Sequence, residues 1–279
     1  RGIYASIFLD CMPYAIVKRR HWHLAELLKA HIRAMQTKAE WIVRTNQPDP
    51  THYDFVDFIK SGLDKRFPLF GDKTLLMIAC GAGDATCAEM LLTGVTARFM
   101  DPEGEGSFTM KSIMFRSGVD EAVREKTTGG FTYEGWWAPP GVTALMIAVR
   151  KGSVDCGRLL LKHGADVTKV TKTDIAMTAI MYTFTHGFPE FLELLLAHGA
   201  TIDPCCLDYA AFANIKNHPQ SLAVTTLLHD GLCFHDDGHA RCLEIVLDRG
   251  LLPKERLTVS DDYDAYPLHL AAGLVRSNC

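Results

Sequence analysis

Apolar and polar positions alternate along this chain in short blocks, and two of the blocks match at a spacing of 35 residues. TALMIAVRKG at 143–152 leads to LLLKHGA at 159–165, and TAIMYTFTHG at 178–187 leads to LLLAHGA at 194–200. Leu145 and Ala148 fall at i, i+3, on one face of a short helix. Thr143 and Thr178 stand where an N-cap is needed, each with a hydroxyl able to accept from an orphan amide. Gly152 and Gly187 allow the left-handed turn that ends such a helix. A second helix follows, with Cys156, Leu159 and Leu160 at i, i+3, i+4 and with Phe191, Leu194 and Leu195 matching them. Gly164-Ala165 and Gly199-Ala200 then turn the chain outward into a hairpin. Self-similarity at this period predicts a solenoid of helix pairs, in which each unit buries its apolar face on its neighbours.

Further copies are less complete. TLLMIACGAG at 74–83 precedes MLLTG at 90–94, and YPLHLAAG at 266–273 lies near the end, with Pro267 at the first helical position. Residues 207–211 read as a first helix and 221–228 as its second. Residues 238–250 read as another second helix whose first helix is short or missing. An alternative register through Thr226–His229 stays open. Residues 12–17 followed by 24–28 form a candidate degenerate copy at the N-terminus.

The blocks resemble the ankyrin repeat, whose usual form is T-P-L-H-x-A-A-x-x-G-H followed by an apolar stretch ending L-L-L-x-x-G-A. The resemblance covers residues 141–203, 71–96 and 265–273. It implies an all-α ankyrin-repeat solenoid of stacked helix pairs with hairpin-like loops. The interior copies depart from the pattern. Met77, Met146 and Met181 replace the motif histidine, which removes a Thr–His hydrogen bond expected in the family. Leu75, Ala144 and Ala179 replace the motif proline. Less stability per repeat than in a consensus array is expected. The organisation read from this is an N-terminal helical segment, a degenerate repeat plus cap, over 1–70. One repeat covers 71–96, an insertion 97–140, and further repeats 141–279, the last of them cut short.

The two stretches that break the pattern read differently. Residues 32–43 have helical periodicity with Trp41 and Ile42, residues 46–50 end it, and Phe55, Phe58 and Ile59 mark a second short amphipathic helix. Such a segment shields the first repeat from water. In the insertion, 101–107 is loop-like, 117–126 predicts a short helix, and 127–130 breaks it. Phe131, Tyr133, Trp136 and Trp137 follow, more aromatic surface than a loop needs. They cover a neighbouring repeat, contact a partner or belong to a disordered loop. A hidden degenerate repeat over 108–123 is a further reading.

Composition narrows the function classes. The 279 residues are 48% hydrophobic and 22% charged, as in an ordinary folded protein. No apolar run approaches the roughly 18–20 residues of a membrane span, and the N-terminus lacks a signal-peptide core. Of nine cysteines, Cys80, Cys87, Cys156 and Cys242 fall at apolar helix positions. Free buried thiols fit a reducing, cytoplasmic setting. The basic run Lys18-Arg19-Arg20 precedes an apolar stripe of Leu24, Leu27 and Leu28, so it reads as the solvated face of an amphipathic helix. With a net charge of −4, nucleic acid is not expected as a partner. No phosphate loop, dinucleotide fingerprint, nucleophile elbow or zincin motif is present, so neither an enzyme nor a cofactor is expected. Cys233, His235, His239 and Cys242 are zinc-ligand types at a spacing of no common zinc module, and no metal is assigned to them. Cys205-Cys206 reads as two small residues at a helix start and Asp261–Asp264 as an acidic hairpin tip.

The expected function is therefore a non-enzymatic protein-protein interaction module, monomeric, with another protein as its partner. In ankyrin arrays the first helices and hairpin tips form a concave binding surface. The resemblance places the fifth, eighth and ninth motif positions there: Ile78, Gly81 and Ala82; Ile147, Arg150 and Lys151; Tyr182, Thr185 and His186; Tyr209, Phe212 and Ala213. The contact set expected from these is Arg150, Lys151, Tyr182, His186, Tyr209 and Phe212, joined by Trp136 and Trp137. Tyr182, Tyr209 and Phe212 are expected to be exposed there. Residues 201–264 carry five Lys/Arg against eleven Asp/Glu, so a partner with apolar anchors and basic character suits that end. The alternative is a regulatory or targeting segment of a larger enzyme, channel or ubiquitin-ligase adaptor. A start at Arg1 and an end at Cys279, soon after a motif opens, read as a fragment of a longer gene product.

Overall fold

The structure, a computed structural model, describes residues 3–45, 63–100, 110–123, 139–172, 176–202, 237–251, 257–260 and 263–265. It divides into two compact units, residues 1–138 and 139–279.

In the second unit the predicted helix pairs form. Numbering helices and strands along the whole chain, α5 is Ala144–Arg150, α6 Val154–Lys162, α7 Ala179–His186, α8 Pro189–Ala197 and α9 Asp237–Asp248. First helices stack on first helices, α5 on α7, and second on second, α6 on α8; α9 packs on α8 and α7. Leu145, Ala148, Cys156, Leu160, Phe184, Phe191 and Leu195 are all buried, which makes the seam an apolar core. Thr143 caps α5 by accepting from the Met146 amide at 3.4 Å. At Thr178 the expected cap differs: its own N–H donates to the Met181 sulfur at 3.3 Å. Its buried hydroxyl has no hydrogen-bond partner among the described residues. The methionine that replaces the motif histidine thus supplies an acceptor. The hairpin between α6 and α7 is closed by an antiparallel bridge, Val170 to Thr178, and by the Thr171 amide donating to the Met177 carbonyl at 3.0 Å.

Gly157 sits inside α6, where glycine costs about 1 kcal/mol relative to alanine. The reason lies across the seam: a Cβ there would stand 2.3 Å from Cε1 of Phe191. The missing side chain lets the Phe191 ring rest on the α6 backbone.

The first unit holds α1 (Ile3–Val17), α2 (His21–Thr45), α3 (Leu75–Ala82) and α4 (Ala85–Thr93). α1 packs on α3 and α2 on α4, the same first-on-first, second-on-second order as in the other unit. The turns within the pairs have similar backbone hydrogen bonds. Asp84 N donates to Ala79 O at 3.0 Å and Ser153 N to Ala148 O at 2.9 Å; at the N-terminus Arg20 N donates to Ala15 O at 2.8 Å. The left-handed residue of this turn is Gly83 or Gly152, each at φ 66°, and at the N-terminus it is Arg19 at φ 51°. Residues 24–28 and 32–43, read separately in sequence, lie on the single helix α2, with Leu24, Leu28, Ile32 and Met35 buried. The side chains of Trp41 and Ile42 and the segment 53–59 lie outside the described residues.

The insertion corrects two expectations. Residues 95–100 and 110–115 form an antiparallel hairpin, β1 (Val95–Met100) and β2 (Met110–Phe115), with Val95 opposite Phe115 and Met100 opposite Met110. Residues 110–115 are thus a strand and not the helix that the repeat read over 108–123 implied. The described residues 117–123 hold turns and a bridge in place of the predicted helix. Gly118 N is bound there by both oxygens of Asp64, at 2.8 and 3.0 Å, a tie that extended backbone satisfies. A second short hairpin, β3 (Leu257–Ser260) with β4 (Tyr263–Ala265), lies near the C-terminal end.

Candidate functional site

The expected contact residues fall on the last turns of α5 and α7. Ala144–Val149 and Ala179–Phe184 are buried, whereas Lys151 and His186 are exposed and Arg150 and Thr185 half-buried. The fifth motif position does not face solvent. Ile78, Ile147 and Tyr182 are only 2%, 4% and 7% exposed, so the expectation of an exposed Tyr182 is corrected. Tyr209, Phe212, Trp136 and Trp137 lie outside the described residues.

These side chains form a ladder across the seam. The Arg150 guanidinium lies over the Tyr182 ring, 5.8 Å from its centroid. The Tyr182 and His186 ring centroids are 6.2 Å apart, and His186 stacks on Phe188 at 5.9 Å and 16°. Nδ1 of His186 lies 3.0 Å from the Tyr182 carbonyl oxygen and 2.8 Å from the Thr185 hydroxyl. Burial pushes the Tyr182 hydroxyl pKa above its ordinary value, and the Arg150 charge opposes this. Tyr182 is thus a neutral, mostly buried post that holds Arg150 and His186 at the surface.

Two polar clusters went unseen in the sequence. His21, Asp84 and Cys87 meet where α2 adjoins α4. Asp84 caps α4, accepting from the Cys87 amide at 3.0 Å. His21 Nε2 lies 2.8 Å from Asp84 Oδ2. Burial pushes the Asp84 carboxyl upward, but the Cys87 amide and thiol and His21 together hold it below its ordinary range. The second cluster ties the 116–123 loop down. Arg66 donates to Glu121 at 2.8 Å and to the Asp72 carbonyl at 3.1 Å. Burial, with Glu121 adding to it, raises Asp64 to about 6 against the pull of the Gly118 amide and Arg66. Partners 54–63 residues apart leave no local signal.

Cys80, Cys87, Cys156 and Cys242 are buried, as their apolar positions implied. Cys233, His235 and the side chain of His239 lie outside the described residues. Among the described residues no helix is long and apolar enough to cross a membrane.

Stacked helix pairs joined by hairpins, closed by recurring left-handed turns, define a helical repeat protein. The chain matches the family description "Ankyrin repeats (3 copies)" over residues 49–171, 109–208 and 145–233, more than half its length. It belongs to the ankyrin-repeat family. It is 36% identical over 66 residues to the Ankyrin repeat and KH domain-containing protein mask of Drosophila melanogaster, covering 24% of this chain and 2% of that protein. It is 32% identical over 65 residues to human Protein phosphatase 1 regulatory subunit 27, covering 23% of this chain and 41% of that one. The chain therefore spans less than half of either relative. An ankyrin repeat domain from Acinetobacter baumannii shares the fold, with a TM-score of 0.52, 15% identity, and 94% of this chain and 90% of that chain covered. Ankyrin repeats generally mediate protein–protein interaction and are typically non-enzymatic.

Proposed function

We propose that this chain is a non-enzymatic binding module whose protein partner docks along the ends of the first helices and the adjoining hairpin tips. The observation that carries the reading is the burial pattern of α5 and α7. Their bodies are core, and what they offer outward is Arg150, Lys151, Thr185 and His186. These end-of-helix positions are cationic and hydrogen-bonding, so a partner segment bearing carboxylates suits them. Tyr182 supports the site from below through its ring contacts with Arg150 and His186.

The test is affinity capture with the 279-residue chain, with mass spectrometry of what is retained, repeated for Lys151→Glu combined with His186→Glu. Both side chains are exposed, so the double variant should keep the fold, at a cost of about 1–2 kcal/mol for two acids at helix C-termini. The partner should be lost. A partner retained at undiminished affinity would place the binding face elsewhere. The alternative is a regulatory segment of a larger assembly, which the likeness to a phosphatase regulatory subunit favours. In that case the captured partner would be an enzyme whose activity changes on binding.

A further inference from the structure

Three side chains from separate stretches of sequence converge where the α1–α2 pair meets the α3–α4 pair. Their ligand atoms, an imidazole nitrogen of His21, a carboxylate oxygen of Asp84 and the Cys87 sulfur, all lie within 4.8 Å of one another. Asp84 and Cys87 are buried in the seam, and the His21 side chain is 43% exposed. We propose that His21, Asp84 and Cys87 form a three-ligand site for zinc(II) or a cation of its class.

The donor set selects the ion. Thiolate, imidazole and carboxylate are the three donor types zinc accepts, and magnesium or calcium would not take the sulfur. Distances fit with a small opening. Ligands of a tetrahedral ion at 2.0–2.3 Å stand roughly 3.3–3.8 Å apart. His21 and Asp84, at 2.8 Å, must therefore part by about 0.5 Å to admit the ion. His21 is the member able to move, being half-exposed at the first position of α2. Asp84 and Cys87 sit at the start of α4, and a ligand pair as wide as the 4.8 Å limit would have to close by about 1 Å. The solvent side of His21 supplies the entry path and a fourth position for water. Binding releases the Cys87 thiol proton, and His21 would bind through Nε2 as the neutral imidazole with its proton on Nδ1. The carboxylate and thiolate then balance the ion's two charges, so no net cation faces the positive end of α4. The site would staple the degenerate N-terminal pair to the first well-formed repeat.

Cobalt(II) is the probe, titrated into the metal-stripped, reduced 279-residue chain. One saturable equivalent is expected, with thiolate-to-cobalt charge-transfer absorption, displacement by zinc, and a melting temperature that rises with zinc. Cys87→Ser should abolish the charge-transfer band. His21→Gln should weaken binding beyond the roughly 10–100-fold typical of losing an outer-shell partner. It alters a half-exposed side chain and keeps the fold testable should the buried substitution fail. Replacing His235 and His239 together should leave the band unchanged. Absence of a thiolate band, or a band that survives both Cys87→Ser and His21→Gln, would reduce the triad to a hydrogen-bonded cap.

Discussion

The seam in each unit joins two helix pairs in the same order, but different forces hold the two together. Between α5–α6 and α7–α8 the inner contact is apolar and steric, Phe191 resting on Gly157 amid Cys156, Leu160 and Leu195, with the Arg150–Tyr182 cation–π contact at its edge. Between α1–α2 and α3–α4 buried apolar residues such as Met12, Ile16, Leu24 and Leu28 are joined by polar ties. His21 meets Asp84, and Arg19 donates to the Ala82 carbonyl at 3.0 Å. The N-terminal pair departs furthest from the pattern, and its seam carries the His21–Asp84 and Arg19–Ala82 ties.

Several substitutions can break or sharpen this contrast. The largest loss is expected from Leu195→Ala, which empties a fully buried site at a cost of roughly 2–5 kcal/mol; Leu160→Ala belongs to the same class. Urea unfolding should show it, and a midpoint equal to the parent's would mean that the seam is elsewhere. Tyr182→Ala is expected to lose stability too, by roughly 2–5 kcal/mol, because the ring is buried. A variant that melts like the parent would restore the exposed-groove reading of this residue.

Gly157→Ala should come next. The added methyl overpacks Phe191, at about 1–3 kcal/mol, partly offset by alanine's better helix propensity. Adding Phe191→Leu should recover part of the loss, since the smaller side chain clears the methyl. A Gly157→Ala chain more stable than the parent would show that the ring can move aside.

The smallest effect concerns pH in the first unit. Asp64 in the folded chain titrates near 6, above its ordinary value of 3.8. The folded state therefore binds this proton more tightly than the unfolded state between those values. Stability from this group is full at low pH and is lost as pH rises toward and through about 6. The parent should lose ground against Asp64→Asn between pH 4 and 7.5. Parallel stability curves for the two chains across that range would show that the raised pKa has no thermodynamic weight.

How much of this was legible varied with the kind of force involved. The α5–α8 seam follows from local periodicity, cap positions and glycine placement, all of which lie within one repeat. Gly157 was present in the sequence, but its partner Phe191 belongs to the next repeat, so nothing local marked it as a contact. The N-terminal pair was visible only as a weak block, because Arg19 occupies the left-handed position where glycine is the usual signal. In the insertion the apolar residues of 110–115 also fit a helix; strand pairing with 95–100 decided otherwise. The His21–Asp84–Cys87 cluster and the Asp64–Gly118 tie had no signal, since each joins elements more than fifty residues apart. Of the expected contact set, the placement of Arg150, Lys151 and His186 at helix ends followed from motif position, whereas the burial of Tyr182 depended on neighbours.

The ring of Phe191 seated on the α6 backbone also bears on how this part of the chain moves. A flexible side chain across a seam lets one helix fray while its neighbour stays folded. Here α6 has no Cβ at the contact and α8 contributes a fully buried ring, so separating them exposes the ring and the helix backbone together. The amides of α6 and α8 should therefore exchange with solvent through one shared opening event, not two.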